Sequence, residues 1–306
     1  MQPYFSIIIP MFNRADLISR ALNSCLAQDF ENFEIIAVDD GSSDKTVDIV
    51  KQFTDPRIFV LCHEENRGVG PARNTGINRA SGIWVILLDS DDELLPGALQ
   101  LIHSRIKEVG ENISRLAFMY QLDTGGFSPS PPLIEETWNY EGYIRWTEGS
   151  RTISDYSNVI KRSAFDKVRF PNNRALEVLF HMDFARHFMT KSCPDVVALL
   201  HSDADNRSLH FSSAQLIYSA QSNADQITEL LRRHGEVLRQ TSPSIYYEYI
   251  RGGATLNFLA GQRVKGLIYA AHFLSHRPFS LKTWTVIGFG LLGRKPLAWL
   301  KTKMSS

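Results

Sequence analysis

Cysteine is scarce in this chain. Cys25, Cys62 and Cys193 are odd in number and widely spaced. They suit neither a disulfide framework nor a metal-binding pattern, and a reducing cytoplasm is the expected compartment. Long apolar runs are lacking as well. No stretch reaches the roughly 20 residues that cross a bilayer. The early run Phe5–Pro10 is too short for a secretory signal and has no basic start before it. Repeats and low-complexity tracts are absent, which excludes a repeat architecture. Net charge is also absent, with 33 Lys+Arg against 33 Asp+Glu. That balance hides a division. Residues 1–230 carry 21 cations and 31 acids, whereas residues 231–306 carry 12 cations and only Glu236 and Glu248. A basic tail on an acidic body points to an anionic surface as the tail's partner.

What remains is a globular composition, 43% hydrophobic and 22% charged over 306 residues. This is enough for a catalytic domain with an extension, or for two domains. The most informative stretch is Ile83–Leu88 followed by Asp89, Ser90, Asp91 and Asp92. The apolar run reads as a buried strand, and three carboxylates crowd its end. Open α/β sheets bind ligands at such strand ends. A divalent cation relieves the repulsion between the acids, and oxygen ligands suit Mg²⁺ or Mn²⁺. The plainer alternative is an acidic turn that caps the next helix.

Strands are expected at Ser6–Pro10, Phe33–Val38, Arg57–Cys62 and Ile83–Leu88. Helices are expected after the capping segment Asn13–Asp16, over Asp44–Phe53, from Pro71 to near Gly82, and over Pro96–Val109. This alternation predicts a doubly wound, mostly parallel, Rossmann-like sheet. Residues 123–150 read as a long loop region with short strands. Ala175–Lys191 reads as helix, and the chain from Ser212 reads as mainly helical. The expected division is a catalytic domain over residues 1–211 and a helical, basic extension over 212–306.

Two further clusters carry chemistry. Asp39 and Asp40 end the second strand beside Pro10 and Phe12 of the first, where carboxylates can accept from a base N–H or ribose hydroxyls and Phe12 offers a stacking face. Arg67, Gly68, Gly70, Arg73 and Asn74 precede or open a helix, and arginine forks and helix N-termini both suit phosphate. The loop lacks the lysine and hydroxyl ending of a Walker A motif. His103, His187, His201 and His210 occur singly and read as surface or core histidines.

Together these residues resemble the family-two inverting glycosyltransferases of GT-A fold. The likeness runs through IIIPMFNRADLISRALNSCLAQDF, FEIIAVDDGSSDKT, NRGVGPARNTGINRASG and WVILLDSDDELLPGAL, almost continuously over residues 5–99. It implies a nucleotide-diphospho-sugar donor, expected to be UDP-linked. Pro10, Phe12, Asn13, Arg14, Asp39 and Asp40 would hold the nucleoside side. Arg67, Gly68, Arg73 and Asn74 would line the ribose and donor sugar. Asp89, Ser90 and Asp91 would form the DxD motif, with Asp91 the main Mn²⁺ or Mg²⁺ ligand and Asp89 supporting it. The second half resembles the family more weakly. There Glu177 takes the place of the base aspartate and Leu176 that of the preceding acid. Asp183 is a rival base and His181 a weaker one. The acceptor implied is a glycan or a lipid-linked carrier in bacterial surface polysaccharide synthesis.

Two other functions fit parts of the pattern. A metal-dependent phosphohydrolase could use Asp89 as nucleophile, but such motifs usually follow the first strand. An inactive nucleotide-sugar binding protein would explain the departure at Glu177. The tail over residues 270–303 interleaves Trp284 and Trp299 with cations, which suits an interfacial helix on the cytoplasmic face of a membrane. Its alternatives are a packed helical cap or a contact in a homo-oligomer.

Overall fold

A computed structural model describes residues 2–149, 156–172, 177–203 and 213–305. The chain divides into two compact units, Met1–Asn173 with Phe180–Ala204, and Arg174–Leu179 with Asp205–Ser306.

The first unit is built on one ten-stranded sheet. Its strands are β1 Phe5–Met11, β2 Phe33–Asp39, β3 Ile58–Cys62, β4 Trp84–Leu87, β5 Glu93–Leu94, β6 Ile113–Leu122, β7 Phe127–Ser128, β8 Glu136–Trp138, β9 Ser157–Lys161 and β10 Met189–Leu200. The order is β3-β2-β1-β4-β9-β6-β10-β5, with β7 beside β6 and β8 beside β10. The first four strands are mutually parallel. Beyond β4 the sheet is mixed. Strand β9 runs antiparallel to β4 and β6, while β6 and β10 are parallel to each other.

Helices cover both faces, so the strands read as unbroken apolar runs rather than alternating ones. Ile7, Ile9 and Ile86 pack on one face with Ile18, Leu22 and Cys25 of α1 (Ile18–Leu26) and with Leu99 and Ile102 of α4 (Ala98–Glu108). Ile8, Ile36, Val38 and Val85 pack on the other with Ala72 and Ile77 of α3 (Val69–Arg79) and with Phe180 and Phe184 of α6 (Val178–His187). Between them in sequence lie the one-turn α2 (Thr46–Val50) and α5 (Tyr140–Gly149).

Four local expectations need correction. The segment Asn13–Asp16 does not cap α1, which has no side-chain cap. Instead the Ser43 amide donates to Asn13 Oδ1 at 2.9 Å, and the Asn13 amide donates to Ser42 Oγ at 2.9 Å. The expected helix over Asp44–Phe53 shrinks to α2. The region 123–150 contains α5, which begins where the Gly142 amide donates to Asn139 Oδ1 at 2.8 Å. Its glycines and clustered tryptophans obscured the periodicity. The helix expected to reach Lys191 stops at His187, because residues 189–200 pair with β6 instead. Pro194 sits within a register shift of that pairing, where a missing N–H is tolerated.

The second unit is helical from Ser213. It comprises α7 Ser213–Thr241, α8 Pro243–Leu259, α9 Arg263–Leu274, α10 Leu281–Leu292 and α11 Arg294–Ser305. Ser242 caps α8 through the Ile245 amide at 3.4 Å, with Pro243 in the first turn. Ala220, Phe258, Leu259, Val286, Leu297 and Ala298 form its core. A Cβ at Gly290 would stand 2.5 Å from the Phe258 ring, so that glycine is what lets α10 close onto α8. Among the described residues no helix is long and apolar enough to cross a membrane.

Candidate functional site

The exits of β1, β2 and β4 meet on one edge. The register places Met11 beside Asp39, and the Leu88 amide donates to Ile8 O at 3.1 Å. Phe12, Asp39 and Asp89 therefore leave the sheet from neighbouring strands, as the parallel pattern predicts. The three sequence clusters meet here, the Arg67–Asn74 cluster through the start of α3.

The two aspartates after β2 differ. Asp40 accepts from the Arg67 amide at 3.0 Å, the Gly68 amide at 2.7 Å and His63 Nδ1 at 2.7 Å. His63 Nε2 lies 2.9 Å from Thr75 Oγ1. Asp40 thus anchors the loop that leads into α3. Asp39 Oδ2 accepts the Ser42 amide at 3.0 Å, and its buried Oδ1 has no hydrogen-bond partner among the described residues. Buried polar atoms are nearly always paired, so this lone acceptor is a candidate partner for a donor that the chain itself does not supply. Beside it Phe12 is 37% exposed, unusual for a ring that ends a core strand. Gly41, between these elements, has φ +77°, and a Cβ there would lie 2.7 Å from the Glu65 carbonyl carbon. Only glycine fits that turn.

Arginines surround the acidic loop after β4. Arg73 Nη2 donates to Asp89 Oδ1 at 2.9 Å. Arg14 donates from Nη1 to the Phe12 and Asn13 carbonyls, and its Nη2 lies 3.9 Å from Asp91 Oδ2. The Arg14 Nε is buried without a partner. Asp91 and Ser90 are buried, whereas the Asp89 side chain is about half exposed. Arg67 presents an exposed side chain; only its amide is held, by Asp40. Asn74 turns from the cleft to hold the chain that follows Arg169. It donates to Phe170 O at 2.8 Å and accepts from Phe170 N at 3.1 Å.

Several contributors carried no signal in the sequence. Arg20 of α1 donates to the Asp91 carbonyl at 2.6 Å and holds both Asp203 oxygens, at 2.9 and 3.0 Å. That bond to Asp203 raises the Arg20 pKa and lowers that of Asp203. His201 is not isolated: its Nε2 lies 2.6 Å from Glu93 Oε1, and its amide donates to Asp92 Oδ1 at 3.2 Å. Arg20 and His201 thereby brace the acidic loop from β1's helix and from the end of β10. His103 is half-buried against the rings of Tyr4 and Phe30, and His210 lies outside the described residues.

The second half of the sheet carries a buried Arg115. Its Nε donates to Thr190 Oγ1 at 2.9 Å, its Nη1 meets His181 Nδ1 at 3.1 Å, and the Phe184 ring lies 4.7 Å away. Arginine only donates, so His181 Nδ1 must be the acceptor. Desolvation, with Arg115 and Arg73 nearby, holds the His181 pKa well below its ordinary value. The Nδ1 lone pair of His181 is thus engaged by Arg115. Glu177 stands half-buried at the turn before α6, and Asp183 lies six residues on within that helix. Leu176 lies outside the described residues.

The donor set fits a hard cation. Among the described residues no three His, Cys, Asp or Glu side chains form a closed cage. Mg²⁺ sites of nucleotide enzymes, however, take one or two carboxylates plus substrate phosphates and water. Asp89 and Asp91 are two carboxylates of that type at one strand exit, with Asp89 Oδ1 paired to Arg73.

Residues 6–169, more than half of the chain, match the profile of a family described as Glycosyl transferase family 2. A putative teichuronic acid biosynthesis glycosyltransferase of Bacillus subtilis, TuaG, is 44% identical over 183 residues, covering 58% of this chain and 70% of that protein. The succinoglycan biosynthesis protein ExoO of Rhizobium meliloti is 39% identical over 112 residues, covering 37% of this chain and 32% of its own. The glucosyltransferase WfgD of Escherichia coli, whose name gives UDP-Glc and a diphosphoundecaprenol acceptor, is 37% identical over 115 residues, covering 38% of this chain and 44% of that protein. The chain thus spans less than half the length of the latter two. Among solved structures, S. aureus TarS 1-349 in complex with UDP-GlcNAc superposes with TM-score 0.58 at 20% identity, over 88% of this chain and 89% of that one. The mannosyltransferase PcManGT of Pyrobaculum calidifontis, in complex with GDP-Man and Mn2+, gives 0.54 at 19% identity, over 99% and 88%.

Proposed function

The chain belongs to glycosyl transferase family 2 and has the GT-A fold, and we propose that it transfers a sugar from a UDP-linked donor to a hydroxyl acceptor with inversion at the anomeric carbon. One observation carries the reading. At a single sheet edge, the acceptor Asp39 Oδ1 and the donor Arg14 Nε are both buried without partners among the described residues. A uridine diphosphate presents the complement of both, a base N–H and anionic oxygens.

On this reading Asp39 takes the uracil N3–H and Phe12 walls the base. Arg14 and Arg73 neutralise the diphosphate as charge builds on it. Asp91, with Asp89, would hold Mn²⁺ or Mg²⁺, which supplies further positive charge to the leaving group. Glu177 removes the proton from the acceptor hydroxyl. The acceptor oxygen attacks the anomeric carbon from the face opposite the diphosphate, the bond from carbon to phosphate oxygen breaks, and its electron pair leaves with UDP. A positioned base contributes about 10²–10⁴ in rate. The acceptor is a glycan on a lipid carrier, by analogy with the acceptor in the Escherichia coli relative's name, and the reaction runs on the cytoplasmic side. The phosphohydrolase reading loses ground because it gives Asp39, Phe12 and the arginines no role.

A thermal-shift series of nucleotide sugars with Mn²⁺, followed by assay of nucleoside diphosphate release, tests this. UDP-sugars should stabilise the protein and yield UDP. Stabilisation by GDP- or TDP-sugars alone would overturn the base assignment. Binding with no turnover in the presence of lipid-linked glycans would favour the inactive binding protein.

A further inference from the structure

The helical unit turns an apolar face outward, and donor binding gives that face nothing to do. On α10, Leu281, Trp284 and Leu291 are 79%, 54% and 47% exposed. With Gly288 they recur at helical spacing and share one side. Thr283, Val286 and Gly290, on the opposite side, are buried. Helix α9 repeats the arrangement. Val264 and Ile268 are outward at 72% and 63%, while Gly266, Ala270 and Phe273 are buried. Phe279, between the two helices, is 96% exposed. A unit with a formed core has no packing reason to display a row of Leu, Ile, Phe and Trp.

Charge identifies the occupant. From Tyr249 to the last residue the sequence holds nine Lys+Arg and no Asp or Glu. Lys265, Arg277, Lys282 and Lys295 are exposed on the same helices or beside them. We infer that this face docks on the surface of an anionic bilayer, with Phe279, Leu281 and Trp284 entering the headgroup region and the cations meeting lipid phosphates. A second copy meeting it through the same face would set like charge against like. A polyanion such as RNA would use the cations and leave the apolar row in water. A bilayer surface uses both. Helices α9 and α10 have 12 residues each, about 18 Å at 1.5 Å per residue. That is short of the roughly 30 Å hydrocarbon core, so the contact lies along the surface. The inference rests on exposure and charge in this unit alone and stands whether or not the chain transfers sugar.

Flotation of the full chain tests it, using vesicles of phosphatidylglycerol and phosphatidylethanolamine against vesicles of phosphatidylcholine. Anionic vesicles should carry the protein upward. Salt at 1 M should release much of it, since the Debye length falls from about 10 Å at 0.1 M to about 3 Å. Neutralising Lys265, Lys282 and Lys295 to Gln should weaken binding about fivefold per charge. The double change Leu281→Ser, Trp284→Ser should abolish flotation. Those side chains are exposed, and circular dichroism checks that the fold survives. In the unaltered chain, brominated lipids should quench part of the tryptophan emission, and Trp284→Phe should remove part of that quenching. Equal binding to both vesicle types, or none to either, would overturn the inference. So would self-association without lipid that Leu281→Ser abolishes, or RNA binding that the double change leaves intact.

Discussion

Residues 5–99 and residues 113–200 contribute to one sheet, yet they are organised on opposite principles. In the first stretch four parallel strands leave the sheet on the same edge, and each exit carries its own polar cluster within a few residues. In the second, β6, β9 and β10 run in both directions. Their chemically unusual groups are assembled from distant segments, as in Arg115 of β6, His181 of α6 and Thr190 of β10. On the proposed function, the first stretch holds the donor through motifs fixed to neighbouring strand ends. On the same proposal, an acceptor surface in the second half would rest on long-range contacts and could change without disturbing the donor edge. The comparison therefore predicts different kinds of failure in the two halves.

Asp91→Asn should give the largest effect. Asp91 is buried at the exit of β4, with Arg20 on its carbonyl and Arg14 near its carboxylate. Removing its charge should abolish the Mn²⁺-dependent part of UDP binding in calorimetry, with little change in melting temperature. Unchanged affinity in the presence of Mn²⁺ would mean that the first half does not hold the metal, and the contrast drawn above would collapse.

Glu177→Gln should come next and should separate the halves. It is expected to leave UDP-sugar affinity unaltered and to lower transfer by at least about a hundredfold, the range of a positioned base. If transfer survives in Glu177→Gln and is lost in Asp183→Asn, the base lies within α6 instead of at its start.

How much of this was legible in the sequence follows the same division. The runs SIIIP, FEIIAV and WVILL are apolar because both faces of each strand are covered, and the last two end at acids. Local reading therefore recovers β1, β2, β4 and the exit residues Asp39, Asp89 and Asp91. It fails where a partner decides. Residues 189–191 carry no mark that separates them from the preceding helix until β6 lies alongside. Arg20 reads as one more polar residue on an amphipathic helix until the Asp91 carbonyl is beside it. Asn74 belongs to a motif expected to line the donor, yet its amide is committed to Phe170, 96 residues away in sequence. Nothing in the order of residues separates Asp39 from Asp40, because the difference lies in where residues 63–68 return.

That last pair gives the smallest and sharpest test. Both aspartates are 3% exposed and adjacent in sequence, so composition, burial and position are matched. Only their hydrogen bonds differ. Asp40 receives two amides and His63, all from the chain itself, whereas Asp39 keeps one buried oxygen without a partner. Asp39→Ala should cost about 1–3 kcal/mol of UDP binding, the penalty for leaving a base donor unpaired, and little stability. Asp40→Ala should show the reverse emphasis. Losing the acceptor for the 63–68 loop should cost about 1–3 kcal/mol of folding free energy, or a few degrees of melting temperature for each kcal/mol. UDP affinity should then fall only as far as the loosened loop disturbs Gly68 and Arg73. Calorimetry and thermal melts on the two variants read both quantities. Equal losses of affinity with equal melting temperatures would show that the two carboxylates share one role, and that the loop is held by something other than Asp40.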